Sequence, residues 1–322
     1  MKGESTSVQR TTVVGTGVIG KGWIARMLAH GYEVTATDPA EGAEDGLREW
    51  IEKIWPTLEK IDHAPNASLD RLHFEKDLES AVAEADFIQE CVPERENLKR
   101  DVLAKIDQAA KAQAIIASST SGITPSTLQQ DCTYPERVMV AHPFHPVYLL
   151  PLVELVGGQS TEPCTINQGE EFYRTLGMKP LVVRREIEGH IGDRLMEAIW
   201  REALHIVNDG IATTEEVDAA IVYGPGLRWA LMGPFLTLHM AGGKEGMKHM
   251  LEQFGPALKL PWTYLKAPEL TDELADRVIE GCENQTDSYT PEELERRRDE
   301  FLIRLLDLVR DYWPAAHLNK EM

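Results

Sequence analysis

The most constraining feature lies in the first forty residues. Thr11–Val14 is a β-branched run that ends in Gly15-Thr16-Gly17-Val18-Ile19-Gly20. Helical spacing follows (Ile19, Trp23, Met27) until Gly31, and Tyr32–Thr37 reads as a second strand ending at Asp38. A GxGxxG run alone is a weak signal, because glycines are common in turns. Here it has strand before, helix after and strand again, which predicts the first βαβ unit of a parallel sheet. Gly15 permits the tight turn, Gly17 lets the backbone approach a pyrophosphate, and Gly20 lets helix pack on strand. The helix start at Val18 and Ile19 offers N–H donors and a positive dipole end to phosphates. Asp38 lies 23 residues after Gly15. A carboxylate there accepts hydrogen bonds from ribose hydroxyls and repels a 2′-phosphate, so NAD is expected rather than NADP. The bland alternative, a glycine-rich turn beside a solvated acid, does not explain the order of these parts.

Further apolar runs at Phe87–Val92, Ala114–Ala117, Val138–Ala141, Leu152–Val156 and Leu181–Val183 alternate with helical stretches. That alternation predicts an α/β, Rossmann-like, doubly wound and mostly parallel sheet. The texture then changes. Leu195–Asp209, Glu215–Tyr223, Leu227–Met240 and Pro291–Trp313 read as long helices. Thr213 before two glutamates and Thr290 before Pro291 are helix starts. The expected division is 1–187 for nucleotide binding and 188–322 for an all-α domain contributing substrate contacts and dimerisation.

The net charge of −20 disfavours nucleic acid and anionic membrane as partners. Four scattered cysteines (Cys91, Cys132, Cys164, Cys282) contain no CxxC pair, so neither a zinc knuckle nor a redox motif is expected. The first ten residues lack the apolar region of a signal peptide, and no apolar run approaches the roughly 18 residues of a membrane helix. A cytoplasmic location is expected.

The second chemical signal is Val138-Met139-Val140-Ala141-His142-Pro143-Phe144-His145-Pro146, followed by Leu152-Val153-Glu154. Ligands of open α/β sheets bind at strand carboxyl ends, where these residues should gather. Oxidising an alcohol needs a base for the hydroxyl proton, and a neutral imidazole backed by a carboxylate suits that task. A metal reading of His142 and His145 fails on the flanking prolines, which forbid a common helical face. By residue type alone, either histidine would more often be structural.

Taken together, these motifs resemble the 3-hydroxyacyl-CoA dehydrogenase superfamily over nearly the whole chain. That family has an H-x-F-N-P…L-V-E pattern. The resemblance implies His142 as catalytic base, Glu154 as its partner and Ser121 as the hydroxyl on the substrate oxygen. It places Glu94 and Lys99 on the cofactor side. Two departures change the substrate side: the family asparagine before proline is His145, and that of its G-F-I-x-N-R pattern is Asp193. The segments Asp209–Asp218, Tyr223–Phe235 and Glu252–Pro256 resemble the carnitine 3-dehydrogenase branch of the superfamily. This implies oxidation of L-carnitine, a small zwitterion, to 3-dehydrocarnitine. A quaternary ammonium cannot donate hydrogen bonds and is best held by aromatic faces, so Phe144, Tyr148, Trp229 and Phe254 are candidate walls. Core packing is the alternative for each. Arg228 could bind the carboxylate with its planar fork, or could form a surface ion pair. The competing readings are a dehydrogenase of another small 3-hydroxy acid (L-gulonate type), one of 3-hydroxybutyryl-CoA, and a non-catalytic, NAD-binding, crystallin-like protein. The resemblance also implies a homodimer.

Overall fold

The computed structural model describes residues 8–61, 63–231, 233–256, 260–263, 266, 269, 271–277, 279 and 290–312. The extreme N-terminus, Cys282 and Trp313 lie outside the described residues. The chain divides into two compact units, Met1–Arg194 and Leu195–Met322.

The first unit runs β1 (Arg10–Val14), α1 (Val18–Ala29), β2 (Glu33–Thr37), α2 (Ala43–Leu58), β3 (Leu72–Phe74), α3 (Leu78–Val82) and β4 (Phe87–Glu90). It continues through α4 (Glu96–Ala109), β5 (Ile115–Ser118), α5 (Pro125–Leu128), β6 (Val138–Pro143), β7 (Leu152–Gly157), α6 (Pro163–Thr175) and β8 (Lys179–Val183). One eight-stranded sheet results, in the order β3-β2-β1-β4-β5-β6-β7-β8. All neighbours pair in parallel except β6 and β7, which are antiparallel. The order reverses beside β1, which creates the crevice where such sheets bind ligands.

Helices on both faces explain why the central strands read as unbroken apolar runs. β4, β5 and β6 are buried at every position. α1 is buried almost all round, with Trp23, Ile24, Met27 and Leu28 inaccessible. Its Arg26 donates to the carbonyls of Val147 and Leu176, each at 2.8 Å, tying α1 to the loop after β6 and to the end of α6. β3 escaped the sequence reading because three residues carry no periodicity.

The second unit continues α7 (Gly192–Asn208), which begins in the first. After it come α8 (Thr214–Val222), α9 (Pro225–Trp229), α10 (Pro234–Ala241), α11 (Met247–Phe254) and α12 (Pro291–Tyr312). Thr213 and Glu216 form a reciprocal capping box on α8. Thr290 and Glu293 exchange the same pair of bonds at α12, at 2.9 and 3.2 Å. The single helix expected over Leu227–Met240 is two. Gly233 is extended and Pro234, which has no N–H, takes the first position of a new helix.

Candidate active site

The glycine loop separates into two requirements. Gly15 has φ +95°, and a Cβ there would lie 2.7 Å from the Cys91 carbonyl oxygen. A Cβ on Gly20 would come within 1.9 Å of the Gly15 carbonyl oxygen. The chain's own packing demands both glycines. Gly17 has nothing within 4 Å of its Cβ position, so only a ligand would need the room. No side chain caps α1, and its first turn contains no acid, which leaves N–H donors for a phosphate. A cavity of about 790 Å³ is bounded by Gly15, Gly17, Val18, Ile19, Asp38, Glu94, Lys99 and Ser121, among others. Asp38 Oδ2 accepts from the Thr16 amide at 2.8 Å and its hydroxyl at 3.0 Å, while Oδ1 accepts from the Ala40 amide at 2.9 Å. Asp38 thus shapes the loop and keeps one Oδ1 lone pair outside these bonds. An open Gly17, uncapped helix amides and an acid at the β2 end fit a dinucleotide such as NAD.

At the other end of the sheet, the antiparallel register sets His142 directly opposite Glu154. Directly opposed residues share a face, so the two side chains meet. His142 Nδ1 lies 3.0 Å from Glu154 Oε2. A carboxylate only accepts, so Nδ1 carries the hydrogen and Nε2 is the acceptor. Glu154 is inaccessible, and its Oε1 accepts from the amides of Ile191 and Gly192 at 2.9 and 3.0 Å. Burial alone would raise its pKa. The hydrogen bonds from His142, Gly192 and Ile191 outweigh burial and hold it below the usual value. His142 Nε2 is 3.6 Å from Asp193 Oδ2, and the Phe144 ring centre is 4.9 Å from that of His142. Gly192 makes room for that ring: a Cβ on it would lie 2.3 Å from Phe144 Cζ.

The run Ser118-Ser119-Thr120-Ser121 offers four hydroxyls, and the structure separates them. Ser118 donates to Glu90. Ser119 accepts from Trp23 Nε1 at 3.1 Å and Gln89 Nε2 at 2.7 Å. Thr120 donates to Glu94 Oε1, which also accepts the Ser121 amide at 3.1 Å. The Ser121 hydroxyl has no hydrogen-bond partner among the described residues and faces the cavity. Lys99 is buried, with Nζ 2.9 Å from Glu90 Oε1 and 3.5 Å from Glu94 Oε2. Glu90 was not singled out from the sequence. A carboxylate ending a fully buried strand was the available signal.

Residues 10–187 match the family described as 3-hydroxyacyl-CoA dehydrogenase, NAD binding domain, and residues 189–281 match its C-terminal domain. The chain belongs to the 3-hydroxyacyl-CoA dehydrogenase family. It is an NAD-dependent dehydrogenase, and NAD is its cofactor. It is 67% identical to an L-carnitine dehydrogenase of Bacillus cereus (strain ZK / E33L), over 98% of this chain and 97% of that one. It is 60% identical to an L-carnitine dehydrogenase of Oceanobacillus iheyensis, over 95% of this chain and all of the relative. Among solved structures, it superposes with a TM-score of 0.80 on 5-formyl-3-hydroxy-2-methylpyridine 4-carboxylic acid 5-dehydrogenase, an NAD+-dependent dismutase. That match has 26% identity and covers 94% of this chain and 99% of the other.

In this member of the 3-hydroxyacyl-CoA dehydrogenase family, the structure brings His142, Glu154, Phe144 and Asp193 together within the first unit. Tyr148 is 4% exposed, and its ring packs edge-on against Trp50 of α2, with centres 5.7 Å apart. Arg228 and Trp229 lie on α9 and Phe254 ends α11, all solvent-accessible. The sequence reading missed His190, which is inaccessible and has its ring centre 5.4 Å from that of His142. Its presence inside the segment already carrying Asp193 was the only sign.

Proposed function

We propose that this enzyme oxidises the 3-hydroxyl of L-carnitine to 3-dehydrocarnitine, with His142 as general base paired to Glu154. The observation that carries the chemistry is the His142 ring, with Nδ1 committed to Glu154 and Nε2 left to accept. NAD held against Gly15, Gly17, Asp38 and the start of α1 would supply the hydride acceptor for carbon 3. His142 Nε2 takes the hydroxyl proton, and buried, anionic Glu154 stabilises the imidazolium that results. Ser121 donates its hydroxyl hydrogen to the substrate oxygen and orients it. Glu94 and Lys99 brace the cavity wall on the cofactor side.

The substrate assignment is supported by the full-length L-carnitine dehydrogenase relatives. Local chemistry agrees with it. Asp193 places a carboxylate 3.6 Å from the accepting nitrogen, and the Phe144 ring centre lies 4.9 Å from that of His142. The trimethylammonium of carnitine sits one carbon from the hydroxyl carbon, where an anion and an aromatic face stabilise it. An acyl-CoA thioester has no cation for that position. From the sequence, Arg228 is proposed for the carnitine carboxylate, and Trp229 and Phe254 for the ammonium. We further propose a cytoplasmic homodimer, with residues 1–187 for NAD and 188–322 for substrate contacts and dimerisation. Among the described residues no helix is long and apolar enough to cross a membrane.

The deciding assay follows NADH formation with L-carnitine, D-carnitine, L-gulonate and 3-hydroxybutyryl-CoA. Turnover confined to L-carnitine is expected. Turnover only of another substrate would discard the ammonium site and keep the hydride chemistry.

A further inference from the structure

Residues 189–192 form a strap that touches both halves of the proton-transfer site. At one end the Gly189 amide donates to the Gly122 carbonyl at 3.4 Å, and His190 Nε2 lies 3.3 Å from the Thr120 carbonyl oxygen. These contacts hold the turn that carries Ser121. At the other end the Ile191 and Gly192 amides hold Glu154, and through it His142. Glu94 braces the Ser121 turn from the cofactor side only. The strap is the connection from the substrate side.

His190 is an expensive residue for its place. It adopts φ +46°, in the left-handed region that residues with a side chain rarely enter, directly after Gly189 at φ +71°. Its ring is wholly buried. A carbonyl oxygen only accepts, so Nε2 carries the ring hydrogen and Nδ1 is left as a bare lone pair. Among the described residues that Nδ1 is the one buried side-chain polar atom with no hydrogen-bond partner. Burial, helped by the neighbouring His142, lowers the pKa and keeps the ring neutral. A phenyl ring would fill the same space without an unmet acceptor, so packing alone does not account for an imidazole here.

We infer that His190 is a positioning residue for the reaction: its Nε2–H on the Thr120 carbonyl locks the Ser121 turn to the strap that holds Glu154 and His142. The unmet Nδ1 is the cost of placing that donor. Without the bond, Ser121 and His142 are no longer held in one geometry about the substrate hydroxyl. The inference rests on the proposed proton transfer at His142.

The test compares H190F, H190Q and H190N, since a glutamine amide nitrogen replaces Nε2 and an asparagine amide nitrogen replaces Nδ1. kcat and KM are measured with the substrate that the wild-type enzyme oxidises, alongside thermal melting and NAD affinity. H190F is expected to fold, bind NAD normally and lose kcat by roughly tenfold to a hundredfold, the scale of a small misplacement of reacting groups. H190Q restores most of the lost kcat and H190N does not. Wild-type kcat in H190F overturns the inference, as does H190N outperforming H190Q. Where H190F does not fold, the order of H190Q and H190N decides on the same terms. H142A in the same assay separates the two readings: normal turnover there refutes the base assignment itself, whatever His190 does.

Discussion

In the proposed reaction, His142 and Glu154 divide the work of one base. The carboxylate fixes the tautomer, and two strap amides fix the carboxylate. His142→Ala is expected to retain NAD binding and lose kcat by about two to four orders of magnitude. Near-normal kcat, measured by NADH formation, would exclude it as the base. Glu154 also links the site to pH. Its folded pKa lies below its ordinary value of 4.5, so the unfolded chain takes up the proton first. Its stabilisation is therefore present above that value and is lost as pH falls through it toward the folded pKa. Denaturant midpoints taken from neutral to acid pH should fall further in wild type than in Glu154→Gln; parallel curves would count against this. Lys99 is the third residue whose role is local. Its ammonium is buried against Glu90. Lys99→Met strands that carboxylate and is expected to cost about 3 to 5 kcal/mol of unfolding free energy. An unchanged melting temperature would show that water reaches the pair.

At the scale of elements, the loop between β1 and α1 makes two kinds of demand on its glycines. Gly20→Ala forces a Cβ onto the Gly15 carbonyl oxygen, so both stability and NAD affinity should drop. Gly17→Ala meets nothing within 4 Å, so melting temperature should hold while NAD affinity falls. Melting curves and NAD titrations of the two variants check the contrast. Equal effects on stability would mean that the loop is packed differently. The β6–β7 pair shows the same economy. Antiparallel register turns a separation of twelve residues into direct opposition of His142 and Glu154. α9 and α10 show the reverse case, where one apolar periodicity continued across Gly233-Pro234 although the backbone could not.

For the whole molecule, the proposed homodimer turns on one exposed apolar helix face. On α7, Leu195, Met196, Ile199 and Trp200 are each 43% to 56% exposed and recur at helical spacing. This stripe is the surface we propose for a second copy of the chain. The proposed homodimer predicts that the enzyme sediments at twice the chain mass, and that Met196→Glu with Trp200→Glu shifts it to the monomer. A monomeric wild type at micromolar concentration would remove the proposal.

Local patterns decided the architecture from the sequence alone. The strand–glycine–helix–strand–acid order, the β-branched runs, and the Thr213 and Thr290 caps depend on residues close in the chain, where sterics and hydrogen bonding act directly. The nucleotide loop was legible for that reason, whereas the candidate pair His142 and Glu154 came from the family resemblance. Tertiary structure decided what depends on distant partners. It set the Tyr148 ring against Trp50, because burial is set by elements nearly a hundred residues apart. It left the Ser121 hydroxyl open by engaging its three neighbours with Glu90, Trp23, Gln89 and Glu94. It also buried His190 beside His142, a juxtaposition that no spacing encodes, because a left-handed turn and three separate strand ends must meet before the two rings face each other.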